Sequence, residues 1–441
     1  MNVSVRYQIR GQSSNAIAAS IEDAIHAGRL ATGEQLPTVR DLARRLHVSP
    51  TTVNAAYNAL RVRGLVRGAG RRGTVVNRRP PLLTPADASP PPGVRNLAEG
   101  GPDPKLLPPL GPAISALDAD PGRYGDTENL PELVEAARKQ FREDGIAVDS
   151  IAVVSGALDG IERVLSSYLS PGDVVALEDP SYTGVLDLIA SLGLIAEPVA
   201  MDEFGMLPRE LDRALKAKAK ACIVTPRAQN PTGAALDRKR AMELQRVLAR
   251  HPGVVVIEDD HAGPVAGAPA LTTTAGLERW AIVRSVSKSL GPDLRLATLI
   301  GDARTVARVE GRLRIGPRWV SRILQRIVVN MWSEPKTWRA MKHAADTYAE
   351  RRRAMIAALN THGIEAYGRS GLNVWIPVAE ETAIVQALAR KRWAVRAGEI
   401  YRIKSAPGIR ITVASLEPAE AVRIAADFAA SLRPQSHARL A

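Results

Sequence analysis

The sequence predicts two folding modules: a small α+β module, then a Pro-rich linker, then a large α/β module with a mostly parallel sheet. Three observations predict this division. Arginine is concentrated in the first 79 residues, proline and glycine crowd residues 77–95, and short β-branched runs alternate with helical stretches beyond residue 150. For 441 residues, about 150 residues per domain predicts about three folding units.

The composition excludes several classes of protein. Hydrophobic residues make up 45% and charged residues 24% of the chain, which argues against disorder of the whole chain. No apolar run reaches the length of a membrane helix, and no secretory signal follows Met1, so we expect no membrane partner. The single cysteine, Cys222, excludes an intramolecular disulfide and a cysteine-rich zinc site. No metal site is predicted, and a cytoplasmic location is expected.

The net charge of +13 is unevenly distributed along the chain. Residues 1–79 contain thirteen arginines, no lysine and four acidic residues, a net +9, which leaves +4 on the other 362 residues. A basic charge concentrated in this way is typical of a nucleic-acid-binding module. The two modules are therefore expected to have different partners.

Residues 77–95 read NRRPPLLTPADASPPPGVR, in which seven of nineteen residues are proline or glycine. Proline lacks a backbone donor and stiffens the chain, so a semi-rigid extended linker is predicted. The alternative is a long surface loop inside one domain, but the charge asymmetry ends at the same place and favours a linker. We place the first domain at residues 1–76 and the second at residues 96–441.

Three helices are predicted in the first module. The first follows Ser13, the second begins near Thr38, and the third follows Ser49, a good cap, with Pro50 at its first position. Their predicted inward-facing residues are Ile17, Ile21, Ile25, Val39, Leu42, Ala43, Leu46, Val53, Ala56, Tyr57 and Leu60. The short turn between the second and third helices indicates a helix-turn-helix. The polar residues expected to face DNA from the third helix are Thr51, Thr52, Asn54 and Asn58.

A glycine-rich hairpin follows the third helix. Strand-like pieces flank residues 68–73, and Arg71 and Arg72 at the tip would lie beside a phosphate backbone. With the segment LPTVRDLARRLHVSPTTVNAAYNALRVRGLV, this module resembles the GntR family of winged helix-turn-helix regulators over about residues 14–76. The resemblance implies double-stranded DNA as partner, with Arg40 and Ser49 added to the DNA-contacting residues. The chain departs from the family at Pro50, where an arginine is frequent, and at Arg63, where glutamate is favoured. A helical protein-interaction module is the alternative interpretation.

Six strands are predicted in the large module, and helical stretches separate them. They are Ile151–Val154, Val174–Glu178, Ala221–Thr225, Val254–Glu258, Ala281–Ser285 and Leu296–Ile300. Ligands of such sheets bind beyond the carboxyl ends of the strands, so the residues that follow each strand are the candidates for a site.

Those residues form a chemically coherent set. Ala157 and Leu158 open a helix whose bare amides can bind phosphate, and Tyr182, Asn230, Asp259 and Lys288 each follow or end a strand. Each signal alone has an ordinary structural explanation. The spacing from Asn230 to Asp259 equals that from Asp259 to Lys288, 29 residues, which fits one crossover each. Pyridoxal phosphate requires a lysine for a Schiff base and an acid at its pyridinium nitrogen.

Asn-Pro-Thr-Gly at 230–233, the acid pair at 259–260, and Ser-x-x-Lys-x₆-Arg from Ser285 to Arg295 resemble fold-type-I aminotransferases. The resemblance covers about residues 97–432. It implies a fold-type-I pyridoxal-phosphate-dependent transferase fold, with a large domain at about 125–310 and a small domain from 96–124 plus about 311–441. It also implies that Lys288 carries the cofactor as an internal aldimine and that Asp259 pairs with the pyridine nitrogen.

The resemblance assigns the remaining contacts. Asn230 would bond the phenolic oxygen and Tyr182 would stack on the ring, whereas the phosphate would be held by Ser285, Arg295 and the amides of Ala157 and Leu158. Arg410 occupies the place of an arginine that binds the substrate carboxylate. Tyr124 matches a family tyrosine that reaches across the dimer interface and contacts the cofactor phosphate in the partner subunit. This match implies a homodimer.

Three positions depart from the aminotransferase pattern. His261 stands where the family usually has a tyrosine that touches the phenolic oxygen, Asn129 where it has glycine, and Val134 where it has arginine. A histidine can donate the same bond but titrates near neutral pH, so a different pH response of the cofactor site is expected.

A GntR-type module tethered to an aminotransferase-like module is the architecture of the MocR regulators. The resemblance implies a transcriptional regulator that senses pyridoxal phosphate, an amino compound, or both. A working aminotransferase with an autoregulatory DNA-binding arm is the first alternative. A DNA-binding protein whose large domain is an inert scaffold is the second.

Overall fold

The computed structural model describes residues 8–31, 33–62, 64–68, 73–76, 90–118, 123–126 and 128–432. It divides into two compact units. The first comprises Met1–Ser89, Leu169–Val175 and Gly184–Ala196, and the second comprises Pro90–Tyr168, Ala176–Thr183 and Glu197–Ala441. None of the helices in this described part of the chain combines the length and the apolar character that crossing a membrane requires.

The N-terminal module has three helices, α1 (Ser14–His26), α2 (Val39–Leu46) and α3 (Pro50–Val62), and a hairpin of β1 (Val66–Gly68) and β2 (Thr74–Val76). The predicted inward-facing residues are buried, apart from Val39 and Leu46, which are half-buried. The winged helix-turn-helix prediction is therefore confirmed. Arg71, Arg72 and residues 77–89 of the predicted linker lie outside the described residues.

Local hydrogen bonds fix the helix-turn-helix. The hydroxyl of Thr38 accepts from the amide of Asp41 at 3.2 Å, and that of Ser49 accepts from the amide of Thr52 at 3.1 Å. Both helices thus begin with a side-chain cap, and the sequence predicts the one at Ser49. The Tyr57 hydroxyl donates to the carbonyl of Pro37 at 2.8 Å, which ties α3 to the residue before the α2 cap.

The large module is built on an eight-stranded sheet of order β4-β11-β10-β9-β8-β5-β6-β7. Its strands are β4 (Ser150–Val154), β5 (Val174–Asp179), β6 (Ile195–Asp202), β7 (Gly205–Met206), β8 (Ala219–Val224), β9 (Val255–Asp260), β10 (Trp280–Ser285) and β11 (Ala297–Gly301). Strand β9 pairs in parallel with β8 and β10, whereas β11 is antiparallel to β10 and β4. The six predicted strands and the mixed, mostly parallel sheet are confirmed. Strands β6 and β7 were not predicted.

Helices surround this sheet and connect its strands. They are α4 (Gly111–Ser115), α5 (Pro131–Glu143), α6 (Ala157–Tyr168), α7 (Thr183–Ser191), α8 (Pro208–Lys216), α9 (Arg238–Ala249), α10 (Ala303–Arg314), α11 (Arg322–Ser333) and α12 (Pro335–Asn360). Apolar residues of α5, α11 and α12 share one buried core with residues next to β10.

A second layer follows α12, which we call the C-terminal subdomain. It contains β12 (Asn373–Pro377), α13 (Thr382–Arg390), β13 (Trp393–Ala394), β14 (Arg396–Ala397), β15 (Gly408–Thr412) and α14 (Pro418–Leu432). Strand β3 (Arg95–Asn96) pairs in parallel with β13. Among the described residues from 90 onward, the first strand thus begins at Arg95, the last residue of the predicted linker.

Candidate active site

Lys288 lies just beyond the carboxyl end of β10, where the sequence predicts the cofactor lysine. Its Nζ atom donates to the carbonyl oxygen of Gly100 at 2.6 Å. Burial, and then the nearby charge of Arg410, lowers the pKa of the Lys288 amine to about 8. A larger fraction of the amine is therefore neutral near pH 7 than for an exposed lysine, which suits attack on an aldehyde.

Asp259 is buried on β9, and only 5% of its surface is exposed. Its Oδ1 atom has no hydrogen-bond partner among the described residues. Burial, and then the charges of Asp260 and Glu178, raises the pKa of this carboxyl to about 7. A buried acceptor without a donor is costly, and a protonated pyridine nitrogen would supply both the donor and the compensating charge. The site therefore fits pyridoxal phosphate at this position.

The predicted phosphate contacts Ala157 and Leu158 are the first two residues of α6, where backbone amides can bind an anion. A Cβ atom built on Gly156 would lie 3.3 Å from Nη2 of Arg295. Glycine thus allows the chain to approach the guanidinium, and the two together make a cradle for an anion. Arg295 itself has a φ of 43°, in the left-handed region.

Ser285, the last residue of β10, is bonded to the segment that leads to Lys288. The hydroxyl of Ser285 accepts from the amide of Ser287 and donates to its hydroxyl, both at 3.2 Å. Ser287 is a contact that the sequence did not indicate, and the phosphate-binding role of Ser285 remains a prediction.

Arg410, on β15, is 3% exposed and reaches the predicted site. Its Nη1 donates to Oδ1 of Asn230 at 3.0 Å, its Nη2 donates to the carbonyl of Ala98, and its guanidinium lies 5.1 Å from the ring centre of Tyr401. Because the carbonyl oxygen of Asn230 faces Arg410, its amide nitrogen is left to serve as the donor for a phenolic oxygen. The structure thus brings Asn230 and Arg410 together, and Tyr401 and Ala98 are contacts that the sequence did not indicate.

The expectation for His261 needs correction. Its Nε2 atom lies 2.9 Å from the carbonyl oxygen of Ala228, so its N–H is used within the protein. Burial, and then the charge of Lys288, lowers the pKa of the imidazole to about 4. His261 is therefore neutral at neutral pH, contrary to the expected titration, and its single N–H does not point to a role as the donor that replaces the family's tyrosine.

Tyr182 follows β5 and is 39% exposed, and its stacking role remains a prediction. The segment that carries it is fixed to the chain before β15. The amide of Ser181 donates to the carbonyl of Tyr401 at 2.9 Å. The carboxylate of Asp179 accepts from the amides of residues 403, 404 and 405 at 2.9, 2.7 and 2.8 Å and from the hydroxyl of Ser405 at 2.9 Å. These bonds join the end of β5 to the C-terminal subdomain.

Tyr124 is 84% exposed. Its ring packs edge-on against Trp319, with 5.9 Å between ring centres, and the guanidinium of Arg318 lies 5.8 Å from its centre. Asp126 closes the loop by accepting from the amide of Arg123 at 2.7 Å and from Arg322 at 3.0 Å. A prearranged exposed ring is compatible with the predicted role across an interface, which remains a prediction.

The predicted DNA-facing residues of the N-terminal module separate into two groups. Arg40, Thr51 and Asn54 are exposed. The hydroxyl of Ser49 caps α3 and lies 2.8 Å from the hydroxyl of Thr52, which is half-buried. Ser49 and Thr52 therefore have a structural role in addition to any contact with DNA.

Comparison with known proteins agrees with this site. The profile described as "Aminotransferase class I and II" matches residues 97–428, and that described as "Bacterial regulatory proteins, gntR family" matches residues 13–76. The fold resembles an archaeal alanine:glyoxylate aminotransferase with a TM-score of 0.71 and 23% identity, over 77% of this chain and 90% of that one. It resembles a kynurenine aminotransferase of Pyrococcus horikoshii with a TM-score of 0.70 and 21% identity, over 77% and 91%.

Two relatives are similar to this chain over most of both lengths. The vitamin B6 salvage pathway transcriptional repressor PtsJ of Salmonella typhimurium is 40% identical over 424 residues, 95% of this chain and 98% of the relative. The HTH-type transcriptional regulator TauR of Rhodobacter capsulatus is 26% identical over 404 residues, 82% of each.

Fold and site together define a pyridoxal-phosphate-binding domain of the class I and II aminotransferase family, joined to a GntR-type DNA-binding domain. The chain belongs to the MocR-type transcriptional regulators.

Proposed function

We propose that this regulator senses pyridoxal phosphate through Lys288 and that occupation of the site changes the affinity of the N-terminal module for its operator. The observation that carries the proposal is the buried Oδ1 atom of Asp259, which has no hydrogen-bond partner among the described residues. Asp259 lies near the carboxyl end of β9, and Lys288 follows the carboxyl end of the neighbouring parallel strand β10. The cofactor would supply an aldehyde and an electron-withdrawing ring. The relative PtsJ is named as a repressor of vitamin B6 salvage, which supports pyridoxal phosphate as the signal.

Arg410 supports a second ligand, the carboxylate of an amino compound. Its guanidinium is buried and oriented by Asn230 and Ala98, and a planar fork of this kind matches a carboxylate. We infer that the site binds the α-carboxylate of an amino compound in addition to the cofactor.

We further propose that the regulator works as a homodimer on paired DNA half-sites in the cytoplasm. Around Tyr124, the flanking segments expose further large apolar side chains, namely Ile114, Ile315 and Ile323, at 49%, 84% and 54%. Exposed apolar side chains of this size are typical of an interface. Two-fold symmetry would present two winged helices to a palindromic operator.

Titration of the full chain with pyridoxal phosphate tests the proposal, with DNA from upstream of its own coding sequence as probe. We expect the operator dissociation constant to change by about tenfold between stripped and loaded protein. Lys288→Ala should abolish both the visible absorbance of the cofactor and this change. Unaltered DNA affinity in the loaded wild type would refute pyridoxal phosphate as the signal.

The intact set of Lys288, Asp259, Asn230 and Arg410 also permits amino transfer, as an aminotransferase with a DNA-binding arm would require. Assay of the loaded protein with amino acid and keto acid pairs separates the two functions. Multiple turnovers would favour the enzyme, and binding without turnover favours the regulator. Cofactor absorbance that depends on Lys288 would exclude the inert-scaffold alternative.

A further inference from the structure

Residues 98–101, which we call the sensor strap, lie between the linker and the first turn that follows it in the large module. Their sequence is Ala-Glu-Gly-Gly. The hydroxyl of Tyr348 on α12 accepts from the amide of Asp103 at 3.1 Å, and Arg351 holds the Asp103 carboxylate at 2.9 Å. The strap is thus fixed at its C-terminal end.

The N-terminal end of the strap is fixed to the C-terminal subdomain. The guanidinium of Arg95 binds both carboxylate oxygens of Glu420 on α14, at 2.8 and 3.1 Å. The carbonyl of Leu97 accepts from the amide of Thr412 at 2.9 Å, and the amide of Leu97 donates to the carbonyl of Ala394 at 2.8 Å. The root of the linker is therefore attached to the same layer that carries Arg410.

Between these anchors, the strap contacts the two cations of the site. The carbonyl of Ala98 accepts from Arg410, and the carbonyl of Gly100 accepts from Nζ of Lys288 at 2.6 Å. A Cβ atom on Gly100 would lie 3.2 Å from Nη1 of Arg410, whereas a Cβ atom on Gly101 would have no neighbour within 4 Å. Gly100 thus allows a close approach that Gly101 does not need.

Both cations would have a second partner in a loaded site. An aldehyde cofactor held by Nζ of Lys288 would leave that nitrogen with fewer N–H groups for the carbonyl of Gly100, which would weaken this hydrogen bond. A carboxylate held by Arg410 would compete with the carbonyl of Ala98 for the guanidinium. A ligand shifts a conformational equilibrium only through interactions that differ between the two states, and these two hydrogen bonds are such interactions.

We propose that the sensor strap converts loading of the site into movement of the linker root, with the Lys288–Gly100 bond as the tie between the large sheet and the C-terminal subdomain. The proposal rests on the proposed function, because it assigns the element through which ligand occupation reaches the linker. Release of the tie lets the C-terminal subdomain, with Arg95 and β3, adjust relative to Lys288.

Hydrogen exchange of the full chain, stripped or loaded with pyridoxal phosphate, tests the strap without DNA. We expect the amides of residues 95–101 to exchange several-fold faster on loading in the wild type, because the Lys288–Gly100 bond would be weakened. Gly100→Ala should remove most of this response, and the matched control Gly101→Ala should retain it. No loading-dependent change in the wild-type strap would overturn the proposal.

Operator binding of the same variants distinguishes failure of the strap from failure of the proposed function. We compare the operator dissociation constant of the stripped protein with that of the loaded protein. In the wild type the two constants should differ by about tenfold. In Gly100→Ala they should be nearly equal, so that their ratio is close to one. A wild-type ratio of one contradicts the proposed function, and the exchange experiment still decides on the strap. If Gly100→Ala still binds the cofactor and keeps the wild-type ratio of operator dissociation constants, the proposed role of the sensor strap is overturned.

Arg95→Ala serves if Gly100→Ala fails to fold or to bind cofactor. This substitution removes the bonds between the linker root and Glu420 and changes no residue of the predicted cofactor site. Cofactor absorbance and the exchange response of residues 98–101 should persist, whereas the operator ratio should fall towards one. Persistence of the full ratio in Arg95→Ala would count against transmission through the linker root.

Discussion

The guanidinium of Arg227 binds both carboxylate oxygens of Asp260, at 2.8 and 2.9 Å, and Asp260 is the residue that follows Asp259 on β9. Arg284 donates to the same carboxylate at 2.6 Å and also pairs with Asp144 at 2.7 Å. Arg227, Asp260 and Arg284 are buried. Although burial opposes its charge, the two arginines hold the pKa of Asp260 well below its usual range.

Asp260→Asn is expected to destabilise the protein strongly, because it removes the carboxylate that pairs with the buried Arg227 and leaves the buried Arg284 with only its pair to Asp144. Breaking a buried pair in this way costs about 3 to 5 kcal/mol. Denaturant unfolding of the full chain measures the loss. Asp202→Asn is the matched control, since Asp202 forms a similar two-point pair with Arg240 at the surface. There we expect about 1 kcal/mol or less, and equal losses in the two variants would contradict the argument.

The rate at which the cofactor attaches to Lys288 should depend on pH with a midpoint near 8. Burial and Arg410 disfavour the ammonium form, so the pKa lies below its ordinary value and falls to about 8. Only the neutral amine attacks an aldehyde, so the rate should rise with pH below the midpoint and level off above it. Stopped-flow absorbance of stripped protein mixed with pyridoxal phosphate measures this profile.

Arg410→Ala should move that midpoint upward, because it removes the second cause of the lowered pKa of Lys288. Arg238→Ala, an exposed residue of α9, should leave the profile unchanged. A midpoint near 10 in the wild type, or one insensitive to Arg410, would argue against the electrostatic coupling of these two cations.

Arg40→Ala should weaken operator binding and reduce its dependence on salt. Arg40 is exposed at the start of α2, and each phosphate contact that is lost releases one counterion fewer, a change of about 1 in the slope of log affinity against log salt. Fluorescence anisotropy at several salt concentrations measures the slope, with Arg238→Ala as control. An unchanged slope and affinity would remove Arg40 from the DNA interface.

Ser49→Ala and Asn54→Ala should separate capping from DNA reading. The Ser49 hydroxyl caps α3, so its loss should lower the stability of the N-terminal module by about 1 kcal/mol. Asn54 is exposed, so its replacement should lower operator affinity while thermal unfolding stays as in the wild type. Equal stability of the two variants would contradict the cap assignment.

Local patterns in the sequence were sufficient for much of the fold. Periodic isoleucines predicted α1, the cap at Ser49 predicted the start of α3, and β-branched runs predicted six of the eight strands. Strand β6 was missed because Pro198 and two acidic residues interrupt its apolar pattern, and β7 because it has only two residues. For the site, the spacing of the motifs predicted that Asn230, Asp259 and Lys288 lie at one edge of the sheet.

The sequence by itself determined the two modules, the cofactor chemistry and the residue types at the site, because these follow from composition, periodicity and motifs along the chain. Only the tertiary structure decided that Gly100 accepts from Lys288, 188 positions away, since a backbone carbonyl is present in every residue and has no signature in the sequence. It also decided the different roles of the neighbouring acids. Successive side chains of β9 point to opposite faces of the sheet, so Asp260 meets two arginines, while Oδ1 of Asp259 has no hydrogen-bond partner among the described residues.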